Sequence, residues 1–232
     1  MDKSRTILGL CILAGLVFLG AMIPKAVNDF RSYERTVNVK GLCEKEVMAD
    51  KVIWPLVLKV SSNDVDAIYR ELNTKNNTVI DFLKAGGIPE SAISIDAATV
   101  SDQFTEEYQT NRAFRFVAKN VITVCTSDVE TVKSLIARQT ELLSKGITFE
   151  NSWENRIEYS YESLNDIKPE MVEEATRNAR EVAQKFASDS QSKLGKIKNA
   201  TQGTFSISDR DSNTPWVKNV RVVTNVTYYL KK

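Results

Sequence analysis

The chain has 232 residues, of which 42% are apolar and 26% are charged, a composition typical of folded proteins. Its net charge is +1, and no large basic block is present to favour nucleic-acid binding. The absence of histidine excludes imidazole-based catalysis and imidazole metal ligands. We therefore expect a non-enzymatic protein, with no catalytic residues, no cofactor and no metal site.

The N-terminal segment is basic and then apolar. Lys3 and Arg5 precede an uncharged run of seventeen residues, Ile7–Ile23. This run is at the short limit for a membrane span, but it is longer than the apolar core of most signal peptides. The pattern favours an uncleaved membrane anchor within residues 1–30, with a cleaved signal peptide as the alternative. The rest of the chain is exported in both cases, since basic residues before a span keep the N-terminus cytoplasmic.

After a connector at residues 24–35, strand and helix patterns alternate. Apolar residues at every second position predict strands over 36–41, 52–60, 92–100, 113–125, 147–161, 197–208 and 217–230. Apolar residues at three- and four-residue steps predict helices from 65 to Gly86, from 129 to Gly146, and over 169–194 before Gly195. Glycine is also expected to end the first strand, at Gly41.

The order β-β-α-β-β-α-β-α-β-β predicts an α+β fold, in which about three helices pack on antiparallel or mixed sheets. A hydrophobic N-terminal helix precedes this fold. No flexible linker interrupts residues 34–232, so one continuous domain is the simplest interpretation, with two lobes as the alternative. Pro55 is expected at a sheet edge or a bulge, because proline cannot donate a ladder hydrogen bond.

The third predicted helix has an alanine-rich face, which suits close packing on a sheet. The residues expected to face inward are Val172, Ala175, Ala179, Val182, Ala183 and Phe186.

Two cysteines and three tryptophans are the candidate site residues. Cys11 lies in the apolar run, which leaves Cys43 and Cys125 for an oxidising compartment. Three interpretations stay open for them: a disulfide, a reactive Cys43 thiol beside Lys45, or inert strand cysteines. A possible interaction surface consists of Trp54, Trp153 and Trp216, although tryptophans in strands are more often core residues.

Two acidic stretches resemble functional patterns without completing them. The sequence DRDSN at 209–213 opens like a calcium loop, but Thr214 replaces the required glycine and Val220 the required glutamate. The pair Glu106–Glu107 lies in a polar loop, where solvation is expected.

Four short motifs carry a family resemblance. They are V-x-V-x-G at 37–41, L-K-x-x-G-I-x-x-x-x-I at 83–93, V-x-x-x-D-V-x-x-V at 124–132 and A-R-x-x-A-x-x-x-A at 179–187. With the segments around them, nearly all of residues 35–232 resemble the SIMPL domain (DUF541) of bacterial periplasmic and envelope proteins. The chain departs from the family at Ala49–Asp50, where members often have Pro-Asp, and at Ala113–Phe114, where members often have Gly-Tyr.

The resemblance implies export, an α+β fold, ring-like oligomers in some members, an association with oxidative or envelope stress, and no defined reaction. We expect a scaffold anchored in the inner membrane through Ile7–Ile23, with its domain (34–232) in the periplasm. It would act by forming a homo-oligomer or by binding an envelope partner. The alternatives are a soluble periplasmic form after signal cleavage, a domain that binds a small ligand or lipid, and a thiol-based redox sensor using Cys43 and Cys125.

Overall fold

The computed structural model describes residues 3–105, 113–150 and 152–231. The helices in these ranges are α1 (Lys3–Glu34), α2 (Val65–Ala85), α3 (Val129–Ala137), α4 (Thr140–Leu143) and α5 (Leu164–Asp189). The strands are β1 (Thr36–Met48), β2 (Lys51–Ser62), β3 (Ile93–Ile95), β4 (Thr99–Asp102), β5 (Phe116–Thr126), β6 (Glu158–Ser160), β7 (Lys193–Gln202), β8 (Ser206–Asp209) and β9 (Val217–Lys231). Helices and antiparallel sheets combine as the predicted α+β fold.

The chain forms two compact units, each built from separate segments. Unit 1 contains the residues up to Lys45, Asn165–Ser206 and the residues from Val220 onward. Unit 2 contains Glu46–Leu164 and Ile207–Asn219. Most of α5 and sheet A (order β1-β9-β7, with β8 also paired to β9) contribute to unit 1, whereas sheet B (order β3-β5-β2-β6, with β4 also paired to β5) belongs to unit 2.

In unit 1, α5 packs on sheet A through a stripe of small residues. The buried side chains recur every four residues, at Met171, Ala175, Ala179, Ala183 and Ala187. Ala179 and Ala183 share a core cluster with Val39 of β1 and with Val226 and Tyr228 of β9. The alanine face is confirmed. The prediction that Val182 and Phe186 also face inward is wrong, since they are 39% and 55% exposed.

Gly41 does not end the first strand, which continues to Met48. A Cβ atom at Gly41 would lie 1.8 Å from the carbonyl oxygen of Ala175 and 2.7 Å from the amide nitrogen of Ala179. The glycine therefore lets the backbones of β1 and α5 approach each other closely. A glycine can either end a strand or admit a neighbouring backbone, and the sequence pattern alone does not distinguish these two roles.

In unit 2, helices α2 and α3 cover one face of sheet B. Alternate residues of β2 and β5 are buried and pack against the apolar faces of the helices. Pro55 stands opposite Thr123 of β5, while β6 pairs only with Lys51–Ile53 on the other side of β2. Pro55 thus lies beyond the end of β6, where its missing N–H removes no bond to that strand.

Several predicted elements have different bounds: the strand expected over 92–100 is divided into β3 and β4, the helix expected from 129 to Gly146 into α3 and α4, and the strand expected over 197–208 into β7 and β8. Residues 147–161 were expected to form one strand, but only β6 (Glu158–Ser160) does so, after a 3-10 turn at Trp153–Asn155. Helix α5 begins before Pro169 and ends at Asp189, whereas Gly195 lies within β7. The helix ends early because Gln191 adopts a left-handed conformation, with φ of 52°.

The N-terminal helix α1 includes Pro24 and extends through most of the predicted connector, to Glu34. Within the described residues, no helix was found that combines the length and the apolar character of a membrane span. The apolar side chains described on α1 are exposed, with Ile12 at 56%, Leu16 at 62% and Phe18 at 66%.

Candidate functional site

Cys43 is a buried thiol in unit 1. Its side chain is 5% exposed, and its Sγ donates to Oε2 of Glu174 at 3.6 Å. Burial raises the pKa of the Cys43 thiol, and the charge of Glu174 raises it further, while Lys45 acts in the opposite direction. A raised pKa keeps the thiol protonated at neutral pH and makes it a weak nucleophile.

Cys125 lies in β5, opposite Ile53 of β2, and is exposed. The structure holds Cys11, Cys43 and Cys125 as free thiols. A disulfide between Cys43 and Cys125 is therefore a prediction about an oxidised form of the protein.

The three tryptophans all belong to unit 2 but have different environments. Trp54 is 2% exposed and is a core residue rather than part of a surface. Trp216 packs against the same core, with the Tyr159 ring 6.1 Å away edge-on and Lys133 Nζ 4.7 Å from its centroid. Only Trp153, at 77% exposure, presents most of its side chain to solvent.

A different group of exposed apolar residues lies along one edge of sheet B. We call it the apolar edge: Ile95 on β3, Val100 on β4, and Phe104 and Phe114 at the base of the following hairpin. Their exposures are 49%, 48%, 64% and 47%. Both β3 and β4 pair with β5 on one side, and within the described ranges no strand pairs with the other side. Unpaired strand edges with apolar side chains are surfaces on which a further strand can add.

A one-residue register shift divides this edge. Ile95 pairs with Ile122, but Thr99 pairs with Lys119, so the three residues 96–98 stand opposite only two residues of β5. The Asp96 N–H still donates to the Val121 carbonyl at 3.0 Å. Asn120, which is 3% exposed, fills the break, and its Nδ2 donates to the Asp96 carbonyl at 2.6 Å. This buried amide fixes where the edge breaks, and the sequence reasoning missed it.

The base of the hairpin is held by an ion pair. Arg115 donates from Nε and Nη2 to Asp102 Oδ2, at 3.0 and 2.8 Å, and the Phe104 N–H donates to Asp102 Oδ1 at 3.1 Å. The hydrogen bonds from Arg115 hold the pKa of Asp102 below its ordinary value. These contacts hold Phe104 near Arg115, the residue that follows Phe114 and precedes β5. The Glu106–Glu107 pair lies outside the described residues.

Asp50, which follows Ala49 at the point where the family often has Pro-Asp, has a structural role. Its carboxylate accepts the N–H groups of Glu162 at 2.7 Å and Ser163 at 2.8 Å, directly before α5 begins. Burial opposes its ionisation, but the hydrogen bonds from Ser163 and Glu162 outweigh burial and lower the pKa of Asp50. The helix therefore starts at Leu164, ahead of the proline that was expected to start it.

The acidic loop at 209–214 uses its carboxylates internally. Asp211 accepts the N–H groups of Asn213 and Thr214, both at 2.8 Å. Hydrogen bonds from the Thr214 hydroxyl and from Arg210 lower its pKa to about 2. Asp209 pairs with Lys218. Among the residues that the structure describes, no group of three His, Cys, Asp or Glu side chains could hold a metal ion.

Comparison with known proteins identifies the family. The model of the SIMPL family, described as a protein of unknown function (DUF541), matches residues 37–227. A comparison with curated protein sequences found no match. The family match covers most of the chain and includes segments of both units, and the chain therefore belongs to the SIMPL (DUF541) family.

Proposed function

We propose that this SIMPL-family chain is a non-enzymatic assembly module of the bacterial envelope, which associates with further copies of itself through the apolar edge. The observation that carries the proposal is the unpaired β3–β4 edge with its four exposed apolar side chains. An association with envelope or oxidative stress belongs to the same proposal, on the family resemblance alone.

The physical basis is edge pairing between two copies. Because β3 has three residues and β4 has four, backbone hydrogen bonds across the edge are few, and the side chains supply most of the attraction. Full burial of an exposed Val, Ile or Phe contributes about 1.5–3 kcal/mol. Two copies contribute eight such side chains, each already about half buried, so their burial supplies about 6–12 kcal/mol, which is comparable to an association cost of about 4–15 kcal/mol. A two-fold axis would pair the same edge with itself.

Helix α1 is the proposed membrane anchor. At about 1.5 Å per residue, the run Ile7–Ile23 spans about 25 Å, close to the hydrocarbon thickness of about 30 Å. Its described apolar side chains are exposed, so a lipid environment would satisfy them. Lys3 and Arg5 favour a cytoplasmic N-terminus. The proposed topology is therefore a single pass through the inner membrane, with the two units in the periplasm.

The test is the molar mass of the detergent-extracted full chain, measured by light scattering with the detergent contribution subtracted. We expect an oligomer for the native chain and a monomer for the double variant Val100→Lys, Phe104→Lys. A matched control is Trp153→Lys, because that side chain is 77% exposed and precedes β6, which lies at the opposite edge of sheet B from β3 and β4. A native chain that is monomeric at the highest soluble concentration would refute self-assembly. The intact mass also shows whether the N-terminal segment is cleaved.

A further inference from the structure

The junction between α1 and sheet A concentrates positive charge. Arg35 links α1 to β1; its carbonyl accepts the Leu230 N–H at 2.8 Å, and its Nη2 donates to Ser192 Oγ at 3.1 Å. Lys193 faces Lys231 directly across the β7–β9 ladder. Arg35, Lys193 and Lys231, which we call the basic end, are all exposed and meet at one end of sheet A.

The basic end is unfavourable by itself. Like charges placed opposite each other destabilise a sheet, and Lys193 and Lys231 occupy such a pair. Among the described residues, no member of the basic end forms an ion pair. Strand β7 adds Lys196 and Lys198 farther along. An anionic partner would relieve this repulsion.

The position of the basic end indicates which anion. Residues 24–34 are the only part of α1 between the apolar run and Arg35, and they span about 17 Å at 1.5 Å per residue. The headgroup layer takes up about 6 Å of that distance. The remaining separation between the headgroup layer and the basic end is close to the length of a lysine side chain plus the Debye length of about 8 Å. A tilt of α1 at Pro24, where proline removes a helical hydrogen bond, would bring the basic end closer still to the headgroups.

We propose that the basic end binds the anionic phospholipid headgroups of the membrane that holds α1, and so fixes the orientation of sheet A at the bilayer surface. This inference rests on the proposed anchoring of α1. The attraction amounts to about a fivefold gain in surface association per cation, and it weakens as salt shortens the Debye length.

The test uses the full chain in lipid nanodiscs of phosphatidylcholine alone and of phosphatidylcholine mixed with phosphatidylglycerol. Lysine acylation by an amine-reactive reagent is followed by mass spectrometry. We expect Lys193 and Lys231 to react about fivefold more slowly in the anionic discs at low salt, and to regain their reactivity at high salt. Lys145 in unit 2, which is also exposed, is the internal control and should react equally in both discs.

The outcomes separate this inference from the proposed anchoring. If the chain enters neither type of disc, α1 is not an anchor. If it enters both and Lys193 and Lys231 react at the same rate in each, the anchoring stands and the headgroup contact is refuted. Inorganic phosphate added to the phosphatidylcholine discs is expected to give no protection, and equal protection by phosphate would identify a free-anion site instead.

Discussion

Replacement of Gly41 by alanine is expected to force α5 away from β1. The added Cβ would lie 1.8 Å from the Ala175 carbonyl oxygen and 2.7 Å from the Ala179 amide nitrogen. Ordinary contact at this position requires about 3.4 Å. Both clashing atoms belong to the helix backbone, which has no rotamer that could move them aside.

The distance by which α5 must move away from β1 determines how much stability is lost. The helix must move by about 1.6 Å, and a gap of even 0.5–1 Å costs roughly a quarter to a half of the dispersion attraction across an interface. Overpacked core positions lose about 1–3 kcal/mol. Because the backbone itself must move, we expect Gly41→Ala to lower the free energy of unfolding of unit 1 by about 3 kcal/mol, the upper end of that range.

Urea unfolding of the detergent-solubilised chain, followed by far-ultraviolet circular dichroism, measures this loss. The control is Lys40→Ala, an exposed neighbour on the same strand, for which we expect a change within about 0.5 kcal/mol. Tryptophan fluorescence reports separately on unit 2, since Trp54, Trp153 and Trp216 all lie there. A Gly41→Ala midpoint equal to that of the native chain would show that the close approach of β1 and α5 is not a constraint.

Three further predictions concern polar residues. Asp50→Ala should lower the free energy of unfolding, measured by thermal unfolding, by about 1–2 kcal/mol, as for loss of a helix cap. Asp50→Asn should lose only part of that stability, and an unchanged stability of Asp50→Ala would refute the capping role. Asn120→Ala should cost about 1–3 kcal/mol and speed hydrogen exchange around Asp96, whereas unchanged exchange there would contradict its role at the break. Asp211 has a folded pKa of about 2 against an ordinary 3.8, so its stabilisation of the loop is complete above pH 4 and is lost as the pH falls towards 2. Carboxyl NMR titration checks this, and an ordinary pKa would refute it.

The parts of the fold that were predictable from sequence depend on patterns among residues that are close together in the chain. The three- and four-residue spacing of apolar residues located all three main helices, because each has one apolar face against a sheet. The spacing of the alanines indicated which face of α5 packs on the sheet. The role of Gly41 was not predictable, since a glycine that ends a strand and one that admits a helix backbone give the same local pattern. Val182 and Phe186 were misplaced because the tight four-residue stripe of small side chains leaves no room for them.

The candidate site was harder to predict, because its determinants are distant in sequence. Asn120 and Asp50 form hydrogen bonds to residues 24 and about 112 positions away, and nothing in their neighbourhood marks them as structural. Trp54 was a candidate surface residue because it is aromatic, but it is buried in the core. Phe104 and Phe114 lie on either side of a polar loop, and that flanking pattern is the signal which could have indicated an exposed apolar pair.

The strand order of sheet A has a consequence for how the chain matures. β9, the final strand of the described chain, lies between β1 and β7, so β1 has no partner until about 170 further residues have been made. At a synthesis rate of roughly 5–20 residues per second, about 10–30 s pass between the synthesis of β1 and the synthesis of β9, the strand that pairs with it. Unit 1 therefore cannot close during early synthesis, and its nascent segments stay accessible to chaperones until the last strand emerges.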